Sequence, residues 1–485
     1  MTVSKPVHEW SASEIARAIR ERRITSVEAT TCFLERIRAL NPRINAVVAL
    51  REDEALAEAR AADLAVQRLA PGGQLGPLHG VPVTIKDIHR VAGSPSTYGF
   101  PQYRNHVPVA DCWSVAQVRR AGAVILGRTN VPVGGFDWQC WNPVYGRTLN
   151  PWNTGHTCGG SSGGAAAAVS ARLAPLELGS DIAGSIRYPA HCCGILGLRP
   201  TDGRVPNWMV GPEDLPTVFR HVLTSGPMSR SFDDLELGLE VLSPGGARFP
   251  EIPKRPLRIA WSESLAGFEK LRLDEESRVL FKELRARLAS AGHELVETAP
   301  DGIDFGEATE LWGEIAGFEF IAALPRPLLW LGGRFLMSLG LPRLLYGDSR
   351  LARGLERGLR AGPRRYFELL CRKDELMMKY QRFAEGHDFW ITPAAPGAAI
   401  ATRRFGKRFR GGGLDHSYSE YLSGLLAGLG ASGHPIVAAP IGMTASGLPV
   451  GAQFHGARNL DEKLLRDLRA VESLLPAFSA PPGFG

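Results

Sequence analysis

The chain has 485 residues, 44% of them hydrophobic, 22% charged and 8% aromatic, the balance of a folded protein and not of a disordered, collagenous or bundled membrane-spanning one. Its 56 Lys and Arg against 50 Asp and Glu leave a formal charge of +6, too dilute over this length to point to nucleic acid. Seven cysteines at 32, 112, 140, 158, 192, 193 and 371, an odd number without a CxxC pair, argue against a disulfide framework or a zinc site and fit a reducing cytosol.

The first twenty or so residues are polar and helix-patterned, without the apolar core of a signal peptide or anchor, so a cytoplasmic protein is expected. Ser11 and Thr25 each stand three residues before a glutamate (Glu14, Glu28) and ahead of an apolar-periodic run, the capping-box pattern of two successive helices. An Ala/Glu-rich helix follows around residues 52–69. After a break at Pro71 to Gly76, Val81 to Ile85 reads as a short buried strand that Lys86 ends.

Further buried strands are expected at Ala123–Leu126, Arg258–Trp261, Phe389–Thr392, Pro435–Ala439 and Val450–Phe454, with helical patterns between most of them. That alternation predicts an α/β fold, a central twisted mixed sheet covered by helices on both faces. With no repeat of 20 to 50 residues, residues 1–485 are expected to form one domain. Its parts are N-terminal helices at 11–70, a core at 75–230, an apolar hairpin at 320–346 and a C-terminal part of the same sheet at 385–478.

Thr157 to Pro189 is dense in Gly, Ser and Ala. A flexible linker would be polar on both sides. Here the serines are followed by Ala165 to Val169 and Leu173 to Leu176, packing residues, so the glycines serve backbone geometry. No lysine follows as in a P-loop, and no strand and acidic residue complete a dinucleotide fingerprint. Serine chemistry remains, and a hydroxyl needs a base to take its proton and N–H groups to receive the oxyanion. No GxSxG elbow surrounds Ser185, so histidine has no hydrolase context. A lysine buried beside a sheet loses solvation and becomes a neutral amine near neutral pH. Lys86 fits that environment.

These residues are similar to those of the amidase signature family of serine hydrolases. The likeness runs from about Ser11 to Phe478. It includes Leu78 to Asp87, Gly122 to Pro132, Asn142 to Thr148, the Gly-Ser stretch, and Gly447 to Gly451. The resemblance implies that Lys86 is the base, Ser161 a bridging serine on a cis peptide, and Ser185 the nucleophile. The spacings of 75 and 24 residues suit the family pattern. Backbone N–H groups of Ile182, Ala183, Gly184 and Ser185 are the implied oxyanion hole, and no metal or organic cofactor is implied. Ala183 stands where the family more commonly has glycine, and Glu177 where a small residue is usual; either narrows the site or does nothing.

Asp181 and Arg187 read as a structural ion pair bracing the nucleophile's loop. His191, Cys192 and Cys193 read as core packing, and the basic run Arg403 to Arg410 as a solvated loop with no nucleic-acid role.

Thr129 to Pro132 with Phe136, Trp138, Cys140, Asn142 and Pro143 resembles the fatty acid amide hydrolase branch. That likeness implies a Gly135 carbonyl facing the site and an acyl channel lined by Phe136 and Trp138, although aromatics are also ordinary core residues. Residues 320–346 are apolar but too short and Arg-broken to span a bilayer. From Arg326 to Arg365 nine arginines face only Asp348 and Glu356. This pattern fits either a peripheral cap on an anionic membrane or core or homodimer helices. The expected activity is hydrolysis of a small-molecule carboxylic amide, preferably lipophilic or N-acyl. Small or aryl amides, a role like that of the amidase component of a glutamyl-tRNA amidotransferase, and acyl transfer to amines are alternatives.

Overall fold

The computed structural model describes residues 5–70, 72–214, 219–323, 340–411 and 414–485. Eleven strands form one sheet: β1 (Val47–Leu50), β2 (Pro82–Lys86), β3 (Val124–Thr129), β4 (Leu176–Asp181), β5 (Leu196–Arg199), β6 (Thr224–Ser229), β7 (Arg258–Trp261), β8 (Glu294–Glu297), β9 (Phe389–Pro393), β10 (Ile436–Met443) and β11 (Pro449–His455). Their order across the sheet is β1-β3-β2-β4-β6-β5-β10-β11-β9-β7-β8. Parallel pairs such as β2 with β3 and β4 adjoin antiparallel ones such as β4 with β6. The sheet is therefore mixed, as expected, with helices flanking it.

All six strands expected from apolar runs are present, with ends shifted by up to a few residues. Five others escaped that reading. β4 carries Glu177, Gly179, Ser180 and Asp181, and β6 reads Thr-Ser-Gly-Pro-Met-Ser. Both are fully buried polar strands, so neither shows the apolar run that marks a strand covered on both faces. β1, β5 and β8 have four residues each, too few for a period to stand out.

The N-terminal helices α1 (Ala12–Arg20) and α2 (Ser26–Leu40) start as the sequence indicates. Ser11 and Thr25 each accept from the glutamate N–H three residues on, and the glutamate carboxylate accepts from the cap's own N–H. Two short helices build the site. α3 (Gly163–Ser170) follows the first Gly-Ser run, and α4 (Arg187–Cys193) follows β4.

Between β8 and β9 the chain forms α5 (Phe305–Ala323), α6 (Leu341–Tyr346), α7 (Arg350–Arg360) and α8 (Pro363–Ala384), of which α5 packs against both α7 and α8. α5 and α7 touch backbone to backbone. A Cβ on Gly354 would lie 2.3 Å from the Glu310 carbonyl oxygen, and one on Gly358 would lie 2.1 Å from that of Glu314. Gly317 faces the Leu355 carbonyl in the same way, at 2.5 Å.

Of the apolar segment expected at 320–346, residues 324–339 lie outside the described residues, and the expected hairpin falls largely among them. The described arginines of its basic flank are paired. Arg350, Arg353 and Arg357 meet Glu310, Arg357 and Arg365 meet Glu314, and Arg343 and Arg360 meet Glu356. The charge excess that favoured an anionic surface is thus largely neutralised by carboxylates of α5 and α7, of which Glu310 and Glu314 fall outside a count over residues 326–365. Among the described residues no helix is long and apolar enough to cross a membrane.

Candidate active site

Lys86 ends β2, and β2 runs parallel to β4, whose carboxyl end leads into Asp181 and Ser185. In α/β sheets that edge is where ligands gather. Ser161 arrives from the loop before α3, on a cis peptide after Gly160. A Cβ on Gly160 would strike the Asp137 carbonyl oxygen at 2.4 Å, so only glycine lets this loop press against the 137–139 main chain.

Lys86 is fully buried. Its Nζ lies 2.8 Å from Ser161 Oγ, 2.9 Å from Ser180 Oγ and 3.2 Å from the Ser180 carbonyl oxygen. Burial lowers its pKa to about 7, against the opposing pull of Asp181, Cys140 and Glu177. Ser180, which sequence reasoning passed over, thus supplies two of the amine's three partners. A serine inside a polar strand gives no sequence signal for that role.

Ser185 opens into an apolar cavity of about 520 Å³. The cavity is shared by Gly135, Phe136, Trp138, Ile182 and Ala183, all expected at the site, and by residues of distant elements that no local motif marked. Trp312, Ala316 and Phe320 come from α5, Leu351, Leu355 and Leu359 from α7, and Phe219 from an intervening loop. A Cβ on Gly135 would sit 3.4 Å from Ser161 Oγ, which places that peptide beside the bridging position. The Ser185 carbonyl accepts from Ser162 N at 3.1 Å. Among the described residues no hydrogen bond joins the Ser161 and Ser185 hydroxyls to each other. In unliganded sites such contacts are often long and close only around substrate.

The turn between β4 and α4 is held from below by Asp181. Its carboxylate accepts from the N–H of Gly184 at 2.9 Å and of Ile186 at 3.0 Å, and from the Arg187 guanidinium at 3.1 Å. Arg187 and Arg199 hold the Asp181 carboxyl well below the usual carboxylate range, overcoming burial. The expected structural ion pair is therefore present. One member of the expected oxyanion set is changed: Gly184 N–H is engaged by Asp181. Among the described residues the N–H groups of Ile182, Ala183 and Ser185 make no hydrogen bond.

Glu177 does not line the cavity. It sits within the sheet beside Thr84, its β2 register partner, and accepts from the Thr84 and Thr129 hydroxyls, the latter at 2.8 Å. Burial raises its pKa to about 8. Ala183 is buried on the cavity wall without a positive φ, so the alanine costs the turn no strain. His191 is buried with backbone partners at both ring nitrogens, receiving Gly451 N–H at 2.9 Å and facing the Gly397 carbonyl at 3.1 Å. Arg404, Lys407 and Arg408 are exposed, while Arg403 lies 3.9 Å over the Phe409 ring.

Residues 28–465 match the Amidase family, and the chain belongs to that family of amide hydrolases acting on carbon–nitrogen bonds. It is 30% identical to an acylamidase of Rhodococcus erythropolis over 97% of this chain and 96% of that one. An indoleacetamide hydrolase of Bradyrhizobium diazoefficiens is 41% identical, over 53% of this chain and 50% of that protein. The fold superimposes on a fatty acid amide hydrolase with a TM-score of 0.78, at 23% identity, over 98% of this chain and 86% of the other.

Proposed function

We propose that the protein hydrolyses carboxylic amides with bulky apolar acyl groups, through an acyl-enzyme on Ser185 with Ser161 and Lys86 as the proton relay. The observation that carries this reading is the trio of contacts around Lys86 Nζ. A neutral amine has two N–H groups and one lone pair. The Ser180 carbonyl can only accept, and Ser180 Oγ can accept as well. The lone pair is then left for the Ser161 O–H, 2.8 Å away.

From that arrangement each step has a group to perform it. Lys86 takes the Ser161 proton while Ser161 takes that of Ser185, and Ser185 Oγ bonds to the amide carbon. The oxygen that gains charge meets the free N–H groups of Ile182, Ala183 and Ser185. Ser161 returns the proton to the departing nitrogen, which leaves as an amine or ammonia; an unprotonated amide nitrogen leaves poorly. Water then enters by the same relay, its hydroxyl bonding to the acyl carbon and its proton restoring Ser185.

The cavity supports the apolar preference. Phe136, Trp138, Phe219, Trp312 and Phe320 enclose the space beyond Ser185, and such surface favours an apolar acyl group by about 25 cal/mol per Å² removed from water. The names of the two relatives, an acylamidase and an indoleacetamide hydrolase, fit an acyl group of that kind. The test is twofold. A fluorophosphonate probe should label wild type on Ser185 and leave Ser185→Ala unlabelled. Initial rates should favour phenylacetamide and a long-chain primary amide over acetamide. No adduct on Ser185 would remove the nucleophile assignment, and a preference for acetamide would remove the apolar one.

A further inference from the structure

The Ala183–Gly184 peptide, one bond before the nucleophile, is gripped at both ends. Its N–H points at Asp181 Oδ1, 2.9 Å away, and its carbonyl oxygen accepts from the Trp138 indole N–H at 3.1 Å. The two partners come from unrelated parts of the chain, β4 on one side and the loop after β3 on the other. A peptide plane held by a donor and an acceptor on opposite edges has lost its rotation about the flanking bonds. The peptides on either side, which carry the N–H groups of Ala183 and Ser185, hinge on this held plane through the Ala183 and Gly184 Cα atoms.

Trp138 is itself fixed. Its main chain backs onto Gly160, beside Ser161, where a Cβ on that glycine would come within 2.8 Å of the Trp138 carbonyl carbon. Its ring stands edge-on to Tyr346, with centroids 6.1 Å apart, and Tyr346 in turn donates to the Phe136 carbonyl at 3.1 Å. Trp138 is 6% exposed and its indole hydrogen bond is buried, so the indole N–H would be an unsatisfied buried donor without the Ala183 carbonyl. Phenylalanine would line the same cavity equally well but has no group to offer that carbonyl.

We infer that Trp138 is a positioning residue for the oxyanion site: through the Ala183 carbonyl it holds the nucleophile's turn in the form that presents free N–H groups to the substrate. The inference rests on Ser185 being the nucleophile. It separates two roles that one side chain combines here, wall of the acyl cavity and clamp of the turn. A wall acts through its shape and discriminates between acyl groups. A clamp acts on the reacting carbonyl, which every amide shares.

The experiment removes the N–H and keeps the ring. Trp138→Phe, and the full chain carrying 3-benzothienylalanine at 138, which retains the bicyclic outline with sulfur in place of N–H, are assayed on acetamide and on phenylacetamide. The expected result is a fall in kcat of about tenfold on both substrates with KM nearly unchanged, the signature of an interaction made mainly in the transition state. A loss confined to phenylacetamide, or expressed in KM alone, would overturn the clamp and leave only a wall. So would an unchanged kcat. The benzothienyl chain decides the matter even if Trp138→Phe folds poorly, because it preserves the packing on Tyr346. Activity persisting in Ser185→Ala would instead show that the reading of the nucleophile had failed, whatever position 138 does.

Discussion

Lys86 Nζ lies 2.8 Å from Ser161 Oγ in a fully buried setting, and among the described residues no carboxylate comes within ion-pair distance of it. An amine so placed is costly to charge, and its pKa falls to about 7. Only the neutral form can accept the Ser161 proton. Below that value the active fraction drops about tenfold per pH unit, so kcat/KM should rise from the acid side with an inflection near pH 7 and flatten above it. A pH–rate profile that stays level between pH 5 and 8 would show that Lys86 is not the base.

In the proposed relay the proton passes between the Lys86 amine and Ser185 through Ser161. Ser161→Ala should therefore lower kcat by about two to four orders of magnitude, the span typical of lost acid–base catalysis, while KM for phenylacetamide stays close to wild type. Ser180→Ala should cost much less, because the Ser180 carbonyl still receives one amine N–H. Stopped-time assays on both variants, with melting curves to confirm folding, give the comparison.

The sheet's outer half was legible because its strands left local marks, apolar runs for β7, β9, β10 and β11; Lys86 stood out as a lysine closing an apolar strand, and the serines of the proposed relay as serines set among glycines, with their separate roles implied by the family resemblance. The walls of the cavity left none. Trp312, Ala316 and Phe320 look like any apolar helix face until α7 packs over them, since burial against a core and burial against a ligand space require the same residues. The N–H inventory was equally hidden. Whether Gly184 offers its N–H to substrate or to Asp181 depends on a turn geometry that composition does not encode.

Glu177 shows how a buried polar group alters stability without touching the site. Its carboxyl accepts from Thr84 and Thr129, and burial lifts its pKa from the ordinary 4.5 to about 8. Below pH 4.5 folded and unfolded chains both hold the proton. Between there and pH 8 only the folded chain does, so this group's contribution to stability is lost progressively as pH rises through that window. Glu177→Gln, which cannot ionise, should therefore gain in melting temperature relative to wild type as pH goes from 5 to 8. A difference that does not change with pH would mean that the carboxyl is already charged in the fold. The ratio of rates on phenylacetamide and acetamide should be the same in both proteins, since the side chain lies outside the cavity.

The cavity's far wall depends on the contact between α5 and α7. Gly358 has no space for a side chain, because a Cβ there would be 2.1 Å from the Glu314 carbonyl oxygen, and helix backbone cannot yield as a flexible side chain would. Gly358→Ala must push α7 away from α5, at a cost of about 1–3 kcal/mol for overpacking. Leu355 and Leu359, which face the cavity from α7, move with it, whereas Lys86, Ser161 and Ser185 are held by the sheet and its adjoining turns. The variant should melt at a lower temperature and lose kcat/KM on phenylacetamide through a higher KM, with acetamide turnover little altered. Equal losses on the two amides would show that α7 supports the reacting groups themselves and not just the apolar wall.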